Sequence, residues 1–378
     1  MNSLRKVLVV PDSFKGTLSS ETVCGIIKEK TLEHFENAEV ISIPVADGGE
    51  GSVDCFLSAI GGERINCPTI NPYFEEIDAY YGALSDHRTA VIEMAICSGL
   101  PLVENRKNPL LTTTYGVGLL IKDAVSRGME NIILALGGSA TNDFGCGAAA
   151  ALGVEFYGGN ERFIPTGGTL EEVERIDTSN VLPDLQNVKI TLMCDVRNPV
   201  YGENGAAYVY APQKGADPDQ VALLDRGLRH ITEIVKRDLE KDVSYIEGAG
   251  AAGAMAGGMI AFFDASVNMG IDVVLDTVKY DELLDGADWV FTGEGKIDSQ
   301  SLEGKVIYGV ATRAHGKGVP VIAIVGGASG DISEIYKIGV NSVFTINRMP
   351  EDFSVSRFKS EENLRNTVDN VLRLLKVK

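Results

Sequence analysis

The chain of 378 residues is 44% hydrophobic and 23% charged, which is typical of a soluble globular protein, and its length predicts about two domains. Its net charge of −19 argues against a nucleic-acid partner, because a phosphate backbone is bound by a basic face. The early apolar run Val7–Val10 is too short for a signal peptide, and no run approaches the roughly 20 apolar residues of a membrane span. We therefore expect a cytoplasmic protein without a membrane partner.

Cysteine and histidine are sparse in this chain. The six cysteines include no C-x-x-C pair, so we expect reduced thiols rather than a disulfide framework or a zinc site. None of the four histidines lies in a glycine-rich cluster, and no G-x-S-x-G elbow occurs. These features argue against a hydrolase that depends on a Ser-His-Asp triad.

The N-terminal region alternates strand and helix patterns. Lys6–Val10 predicts a strand, and Ser19 or Ser20 would cap a helix that runs to about residue 36. A second strand is predicted at Val40–Val45 and a second helix at Gly51–Ala59. This order predicts a parallel sheet with right-handed crossovers.

The pattern changes after residue 62. Short strand-like pieces without helices between them predict an antiparallel insertion, and they are Arg64–Cys67, Glu76–Tyr81 and Thr89–Glu93. The alternation then resumes with a helix at Thr112–Ser126, a strand at Ile132–Leu136 and a helix from about residue 145 to 152.

The second half of the chain begins with a loop-rich, polar region at residues 154–185. The elements predicted after it are the strand Ile190–Cys194, the amphipathic helix Pro218–Glu240, the strands Trp289–Phe291, Val319–Val325 and Val343–Ile346, and a last helix at Glu361–Leu375.

The element order predicts an α/β protein with two α/β domains. We expect a Rossmann-like, doubly wound parallel sheet with helices on both faces from residues 1–62, 106–195 and 283–378. A second, smaller α/β domain is expected from the insertions at residues 63–105 and 196–282.

Six of the apolar runs end in clusters of glycine with Asp, Lys, Ser or Asn. In an open parallel sheet, ligands bind at the carboxyl edge of the strands, where such loops converge. Six clusters in one chain therefore predict an active site rather than a set of ordinary turns.

One cluster joins a predicted strand to a helix and is a candidate phosphate site. Gly137 and Gly138 would let the backbone, with the free N–H groups of the helix start, approach an anion closely. Ser139, Thr141 and Asn142 add hydroxyl and amide donors. The alternative is an ordinary strand-to-helix turn that needs a positive φ.

A second cluster repeats this design and includes a lysine. Gly293 and Gly295 would border a phosphate group that Lys296 holds, and Glu294 or Asp298 would bind a magnesium ion. The alternative is a solvated polar turn. Neither cluster matches the G-x-x-x-x-G-K-[ST] phosphate loop.

Polar residues also follow the first two predicted strands. Ser13 and Lys15 follow the first strand, and Lys15 is the better anion ligand because its ammonium group is a point charge on a flexible stem. Asp47 follows the second strand, where it would bind substrate hydroxyls or a metal. The alternative for Asp47 is the common stabilisation of a helix N-terminus by an acidic residue.

The loop after Cys194 combines a potential base with a group that binds carboxylates. Asp195 would be the base and Arg197 the carboxylate ligand, with Asn198 beside them. A structural ion pair between Asp195 and Arg197 is the alternative. Carboxylates, lysines and glycine-lined loops without a His-based nucleophile suit phosphoryl transfer, in which positioning and charge neutralisation carry most of the catalysis.

The segment Gly248–Gly253 matches the dinucleotide-binding pattern G-x-G-x-x-G by letter. The preceding Val243–Ile246 is a weak strand pattern, and the small residues that follow suit close helix packing equally well. An NAD-dependent hydroxy-acid oxidoreductase is therefore the alternative from a different class. A non-enzymatic sensor of a small acid is a third interpretation.

Several of these motifs together resemble the bacterial glycerate kinase family, type 1. The segments that carry the resemblance are Pro11–Gly16, Ala46–Ser52, Ala135–Asp143, Cys194–Gly202, Asn204–Gly215, Gly248–Gly258 and Thr292–Asp298. They occur in order from about residue 6 to 346, which is essentially the entire chain.

The resemblance implies a two-domain kinase that phosphorylates D-glycerate with ATP and Mg²⁺ in a cleft between its domains. The expected product is 2-phosphoglycerate, and phosphorylation of the 3-hydroxyl to 3-phosphoglycerate is the alternative. By this analogy Asp195 would accept the proton of the substrate hydroxyl, and Arg197 or Lys15 would hold the carboxylate. Lys296 and the loop at Ser139–Asn142 would meet the triphosphate. A homodimer is left open.

These interpretations assign Asp195, Lys15 and Lys296 to catalysis, Ser13, Asp47, Arg197 and Asn198 to substrate binding, Gly137, Gly138, Ser139, Thr141, Asn142, Gly293 and Gly295 to nucleotide or phosphate binding, and Glu294 and Asp298 to metal binding.

Overall fold

The computed structural model describes residues 4–46, 48–49, 51–298 and 305–377. The strands are β1 Lys6–Pro11, β2 Glu39–Ser42, β3 Gly62–Ile70, β4 Glu76–Leu84, β5 Thr89–Glu93, β6 Asn131–Ala135, β7 Glu155–Gly158, β8 Glu161–Phe163, β9 Arg175–Asp177, β10 Lys189–Met193, β11 Ser266–Asn268, β12 Trp289–Gly293, β13 Lys296–Ile297, β14 Val321–Val325, β15 Gly327–Ala328 and β16 Val340–Thr345.

The α-helices are α1 Ser20–His34, α2 Ser52–Ile60, α3 Ala95–Ser98, α4 Tyr115–Ser126, α5 Cys146–Ala151, α6 Ala206–Tyr210, α7 Pro218–Leu239, α8 Ala251–Phe263, α9 Gly270–Thr277, α10 Tyr280–Leu283, α11 Val306–Gly316, α12 Ser333–Lys337, α13 Phe353–Ser356 and α14 Ser360–Lys376. Short 3₁₀ helices are Leu100–Val103, Gly167–Glu172, Pro183–Asn187, Pro212–Lys214 and Arg357–Lys359.

The helices α1 and α7 each begin at a capping residue, and for α1 this is one of the two serines expected from the sequence. The side chain of Ser19 accepts a hydrogen bond from the Thr22 amide and so begins α1. Asp217 begins α7 with a capping box, in which Asp217 and Gln220 each accept a bond from the other's backbone amide. Both helices therefore start where their local sequence satisfies the first free amides.

The first compact unit comprises residues 1–47, 54–60 and 269–378. Its five-stranded sheet is parallel throughout, in the order β16-β14-β12-β1-β2. Residues 7–10 of β1 are fully buried, as expected for a strand in a parallel sheet with helices on both faces. On one face, Val7 and Val9 pack in a core cluster with residues of α1 and α14 such as Ile27 and Leu364. This unit has the doubly wound, Rossmann-like character that the sequence predicted.

The second compact unit comprises residues 48–53 and 61–268. Its six-stranded sheet has the order β11-β10-β6-β5-β4-β3, in which β11, β10, β6 and β5 pair in parallel and β4 pairs antiparallel with both β5 and β3. A core cluster joins this sheet to α4 and α8, for example through Leu120 and Met259. The antiparallel strands predicted between residues 63 and 99 are confirmed.

The division of the chain differs from the one expected from the sequence. Residues 106–195 were assigned to the first domain, but β6 and β10 pair with β5 and β11 in the sheet of the second unit. Residues 269–282, assigned to the second domain, belong to the first unit. The alternation of strands and helices reveals which segments are strands, but it does not identify which sheet each strand joins.

The region predicted to be loop-rich also contains regular structure. β7 pairs with β8 and β9 in a three-stranded antiparallel sheet between residues 155 and 177. Phe156 of β7 packs in a core cluster with Leu224 and Leu228 of α7. These strands are only three to four residues long, so their alternation was too brief to stand out in the sequence.

All six cysteines are buried and free, in agreement with the expectation of reduced thiols. Within the described residues, no helix is long and apolar enough to cross a membrane.

Candidate active site

Two of the predicted loops leave the same edge of the six-stranded sheet. β6 and β10 are neighbouring parallel strands in which Ala135 pairs with Met193, so the loops that follow them begin side by side. The loop after β6, residues 137–143, is called the polar loop here. The loop after β10, residues 195–198, is called the acidic loop. The sequence prediction that these loops converge is thus supported within the second unit.

Gly137 and Gly138 are needed for different reasons. The Gly137 amide donates to the Gly48 carbonyl at 2.9 Å, and a Cβ at this position would lie 2.6 Å from the Gly49 Cα. Gly137 therefore allows two backbones to pack closely, and its amide is already bonded within the protein. Gly138 has a φ of +74° and is exposed, as the turn alternative required.

The polar loop presents side chains that are almost completely enclosed. Ser139 is 7% exposed, and Thr141 and Asn142 are 0% exposed. In the part of the chain that the structure describes, Thr141 Oγ1 and both Oδ1 and Nδ2 of Asn142 lack a hydrogen-bond partner. Buried polar atoms without partners are rare, because each costs about 1–3 kcal/mol. These three atoms are therefore the donors and acceptors that a ligand or an ordered water would complete.

A buried lysine holds the polar loop from one side. The Nζ atom of Lys214 donates to Ser139 Oγ at 2.8 Å and to the Thr141 carbonyl oxygen at 2.6 Å. Burial lowers the pKa of Lys214 to about 7, although the negative charge of Asp143 acts in the opposite direction. The role of Lys214 was not predicted from the sequence, in which its one signal is its place in Asn204–Gly215, a segment that carries the family resemblance.

Asp143 ends the polar loop and fixes the start of α5. Its carboxylate accepts bonds from the amide and hydroxyl of Thr114, both at 2.8 Å, and from the amides of Gly145 and Gly147. Complete burial raises the pKa of Asp143, and these hydrogen bonds oppose the shift. The amides at the helix start are thus bonded to Asp143, which corrects the expectation that they would be free for an anion.

The acidic loop has an exposed beginning and a fixed end. The side chains of Asp195 and Arg197 are exposed, which suits residues that meet a substrate. The Asn198 amide group donates to the Asn204 carbonyl at 2.8 Å, and its Oδ1 accepts from the Tyr210 hydroxyl at 2.6 Å. Asn198 therefore shapes the loop, and its predicted substrate contact stays a prediction.

The segment Gly248–Gly253 supports both loops. A Cβ on Gly248 would lie 3.1 Å from the Val196 carbonyl oxygen, and one on Gly250 would lie 2.1 Å from that of Pro199. The Gly250 amide also donates to a backbone carbonyl of the acidic loop at 2.9 Å. The first two glycines of the motif are thus needed for close packing under the acidic loop.

Gly253 makes the corresponding contact with the polar loop. A Cβ on Gly253 would lie 2.0 Å from the Thr141 carbonyl oxygen and 2.6 Å from the Asn142 Cα. Gly253 and the alanines on either side of it have φ values of +68°, +56° and +65°, so three successive residues are left-handed. No strand precedes the motif at residues 243–246, which the structure describes. The segment is a backbone support rather than a dinucleotide-binding fingerprint, which removes the main basis of the oxidoreductase alternative.

Glu93, another residue without a predicted role, lies at the end of β5 on the same edge. It is 4% exposed, and its carboxylate accepts bonds from the amides of Val53 at 2.6 Å and Gly51 at 3.2 Å. Glu93 thus anchors the backbone at Gly51 and Val53, in the glycine-rich segment after the strand predicted at Val40–Val45. Asp47, the predicted substrate ligand of that segment, lies outside the described residues.

In the first unit, the loops after β1 and β12 also lie side by side. Pro11 pairs with Gly293, and the Asp12 amide donates to the Gly293 carbonyl at 2.8 Å. A Cβ on Gly295 would lie 3.0 Å from the Lys15 amide nitrogen. Gly293 and Gly295 thus bring the backbone of the second loop against the first, next to Ser13 and the exposed Lys15 side chain.

The predicted metal ligands lie in the same part of the first unit. Lys296 Nζ is 3.1 Å from Asp298 Oδ2, and Glu294 is 5% exposed. Within the described residues, no group of three or more His, Cys, Asp or Glu side chains is arranged for a metal ion. Mg²⁺ in phosphoryl-transfer sites is commonly held by one or two carboxylates together with substrate phosphates and water, so this donor set suits Mg²⁺ only in company with a phosphate ligand.

The predicted residues thus form two groups, one in each unit. Ser13, Lys15 and residues 293–298 share the carboxyl edge of the first sheet, and the polar and acidic loops share that of the second. Their joint participation in one site stays a prediction.

Comparisons with known proteins agree with this picture along the chain. A sequence model described as "Glycerate kinase family" matches residues 7–376. A glycerate kinase of Bacillus cereus is 43% identical over 374 residues, which cover 98% of each chain, and a glycerate 2-kinase of Escherichia coli is 39% identical over 97% of this chain and 95% of its own. A crystal structure of a proposed glycerate kinase 2 from Salmonella typhimurium LT2 matches with a TM-score of 0.89 and 37% identity, over 99% of this chain and 98% of that one.

Proposed function

The chain belongs to the glycerate kinase family, and from this premise we propose that it transfers the γ-phosphoryl group of ATP to the 2-hydroxyl of D-glycerate. The products are 2-phosphoglycerate and ADP. The observation that carries the proposal is the family match over residues 7–376, which includes every loop described above. The regiochemistry is supported by the 39% identical relative named glycerate 2-kinase.

The acidic loop supplies the residues for the acceptor substrate. In phosphoryl transfer the protein mainly positions the reactants and stabilises charge. The exposed carboxylate of Asp195 would orient the 2-hydroxyl and accept its proton as the hydroxyl oxygen bonds to the γ-phosphorus and the bond to ADP breaks. Arg197, exposed on the same loop, would bind the glycerate carboxylate through its guanidinium group.

The remaining polar residues would bind the nucleotide. Lys15 and Lys296 are exposed. Lys296 pairs with the carboxylate of Asp298, and on nucleotide binding its ammonium group would turn to a phosphate oxygen instead. Glu294 and Asp298 would hold Mg²⁺ together with the phosphates, and the bound ion would neutralise charge on the transferred group. The polar loop, with its unpartnered atoms on Thr141 and Asn142, would enclose the nearest ligand oxygens.

The purified chain tests this proposal with D-glycerate, ATP and Mg²⁺, with ADP release as the readout. Enolase added without phosphoglycerate mutase consumes 2-phosphoglycerate only, so a coupled signal identifies the 2-hydroxyl as the acceptor. A product that enolase consumes only after mutase is added would instead be 3-phosphoglycerate. A ligand-induced rise in melting temperature without ADP release would favour a sensor over a kinase.

Asp195→Asn tests the assignment of the base. The substitution keeps the size of the side chain but removes its basicity, so we expect kcat to fall by at least about 100-fold while the affinity for the nucleotide is kept. Asp184→Asn, an exposed aspartate of the same unit in the 3₁₀ helix Pro183–Asn187, is the matched control and should leave kcat unchanged. Near-normal turnover of Asp195→Asn would remove the assignment.

A further inference from the structure

Lys214 is a buried lysine that the chemistry above does not use. It ends the 3₁₀ helix Pro212–Lys214, is 1% exposed, and directs its ammonium group at Ser139 and Thr141 of the polar loop. Taking an ammonium group out of water costs several kcal/mol. A side chain that never carries a charge would make the same contacts at a lower cost, so a lysine at this buried position calls for an explanation.

The hydrogen-bonding capacity of the two groups determines what Ser139 offers to a ligand. Below its pKa of about 7, Lys214 carries an ammonium group, which donates hydrogen bonds and accepts none, whereas a hydroxyl has one hydrogen and two lone pairs. Because Lys214 Nζ occupies a lone pair of Ser139 Oγ, the Ser139 hydrogen is left for an acceptor. Ser139 is 7% exposed and follows the exposed Gly138. A ligand atom that reaches this hydroxyl is therefore an acceptor.

The surroundings of the loop point to a ligand in the same place. The Thr141 carbonyl is held between Lys214, at 2.6 Å, and the closely packed backbone of Gly253. The side-chain atoms Thr141 Oγ1, Asn142 Oδ1 and Asn142 Nδ2 are buried and, within the described chain, unpartnered. The backbone is thus fixed on two sides, while the polar side chains that it carries have atoms without hydrogen-bond partners. This is the arrangement of a preorganised binding site.

We propose that Lys214 is a positioning residue, whose ammonium group directs the Ser139 hydroxyl hydrogen toward an oxyanion oxygen of the bound ligand. The proposal rests on the kinase function proposed above. A phosphoryl oxygen of ATP and the carboxylate oxygen of glycerate share the required chemistry, and the experiment below separates them.

The test compares Ser139→Ala, Lys214→Met, their double variant and wild type as full-length proteins. At pH 6, where Lys214 is mainly protonated, calorimetric titration measures the affinity for D-glycerate and for a non-hydrolysable ATP analogue with Mg²⁺, and steady-state assays measure kcat. Lys214→Gln keeps a donor on a similar side chain, and Lys189→Met, an exposed lysine of β10, controls for loss of charge.

We expect Ser139→Ala to weaken one of the two ligands by about 10-fold, which corresponds to one hydrogen bond to a charged group. Lys214→Met should weaken the same ligand by at least as much, the double variant should be no weaker than Lys214→Met, and Lys214→Gln should lose less. A loss confined to the ATP analogue identifies a phosphoryl oxygen, and a loss confined to D-glycerate identifies the carboxylate. Lys189→Met should match wild type.

The proposal would be overturned if Ser139→Ala bound both ligands within twofold of wild type. It would also be overturned if the losses of affinity in Ser139→Ala and Lys214→Met multiplied in the double variant. If Lys214→Met does not fold, Ser139→Ala and Lys214→Gln decide the outcome. Wild type that binds a ligand without phosphoryl transfer would refute the proposed function while the affinities still test Lys214. Wild type that binds neither ligand refutes both.

Discussion

The substitution Gly253→Ala tests whether the polar loop depends on the left-handed turn below it. The new methyl carbon would lie 2.0 Å from the Thr141 carbonyl oxygen and 2.6 Å from the Asn142 Cα. The left-handed φ of +68° costs a side-chain-bearing residue about 1–2 kcal/mol, and overpacking in a buried site costs about 1–3 kcal/mol. The free energy of unfolding should therefore fall by roughly 2–5 kcal/mol, a large part of a typical domain's stability.

Gly128→Ala is the matched control for Gly253→Ala. Gly128 also has a positive φ, of +87°, and belongs to the same unit, but a Cβ there would meet no atom within 4 Å. The free energy of unfolding of Gly128→Ala should fall only by the cost of the left-handed backbone. The difference between the two variants therefore isolates the contact with the polar loop. Urea unfolding should be followed by circular dichroism, because the single tryptophan, Trp289, lies in the first unit. A Gly253→Ala variant as stable as Gly128→Ala would refute the reasoning.

Two further predictions concern a buried charge and a helix cap. Burial lowers the pKa of Lys214 to about 7, whereas an unfolded lysine titrates near pH 10.4, so between these values the unfolded chain binds more protons and stability rises with pH. Between pH 7 and 9, the free energy of unfolding in urea should therefore rise more steeply for wild type than for Lys214→Met, by at most about 1.4 kcal/mol per pH unit. Equal dependence on pH in the two proteins would contradict this. Asp217→Ala removes the capping box of α7 and should lower the free energy of unfolding by about 1 kcal/mol in the same assay. Asp219→Ala alters only the charge in the first turn and should lower it by less. Equal losses would argue against the cap.

The strands and helices were predictable because their signals are local. Apolar runs such as Val321–Val325 and cap residues such as Ser19 act over a few positions, and the structure has these elements close to the predicted bounds. Sheet membership was not predictable in the same way. β6 pairs with β5 and β10, and nothing in its own five residues distinguishes that sheet from the one containing β1.

The candidate site shows the same limit. The loops with Ser139, Asp195 and Lys296 were recognised because glycine and polar residues follow apolar strands. The role of Lys214 could not be predicted, since it acts on residues more than 70 positions away. The pattern at Gly248–Gly253 stayed ambiguous in the sequence, because close backbone packing selects the same glycines as dinucleotide binding does.

The pairing of β1 with β12 has a consequence for biosynthesis. β1 leaves the ribosome long before its neighbour β12, which begins only at Trp289. Residues 61–268, nearly all of the second unit, are complete before that point, so they have the opportunity to fold during translation while β1, whose other neighbour is β2, still lacks β12. The edge of β1 that pairs with β12 therefore stays open while the intervening residues are synthesised, and a chaperone that binds extended apolar segments would be expected to act there.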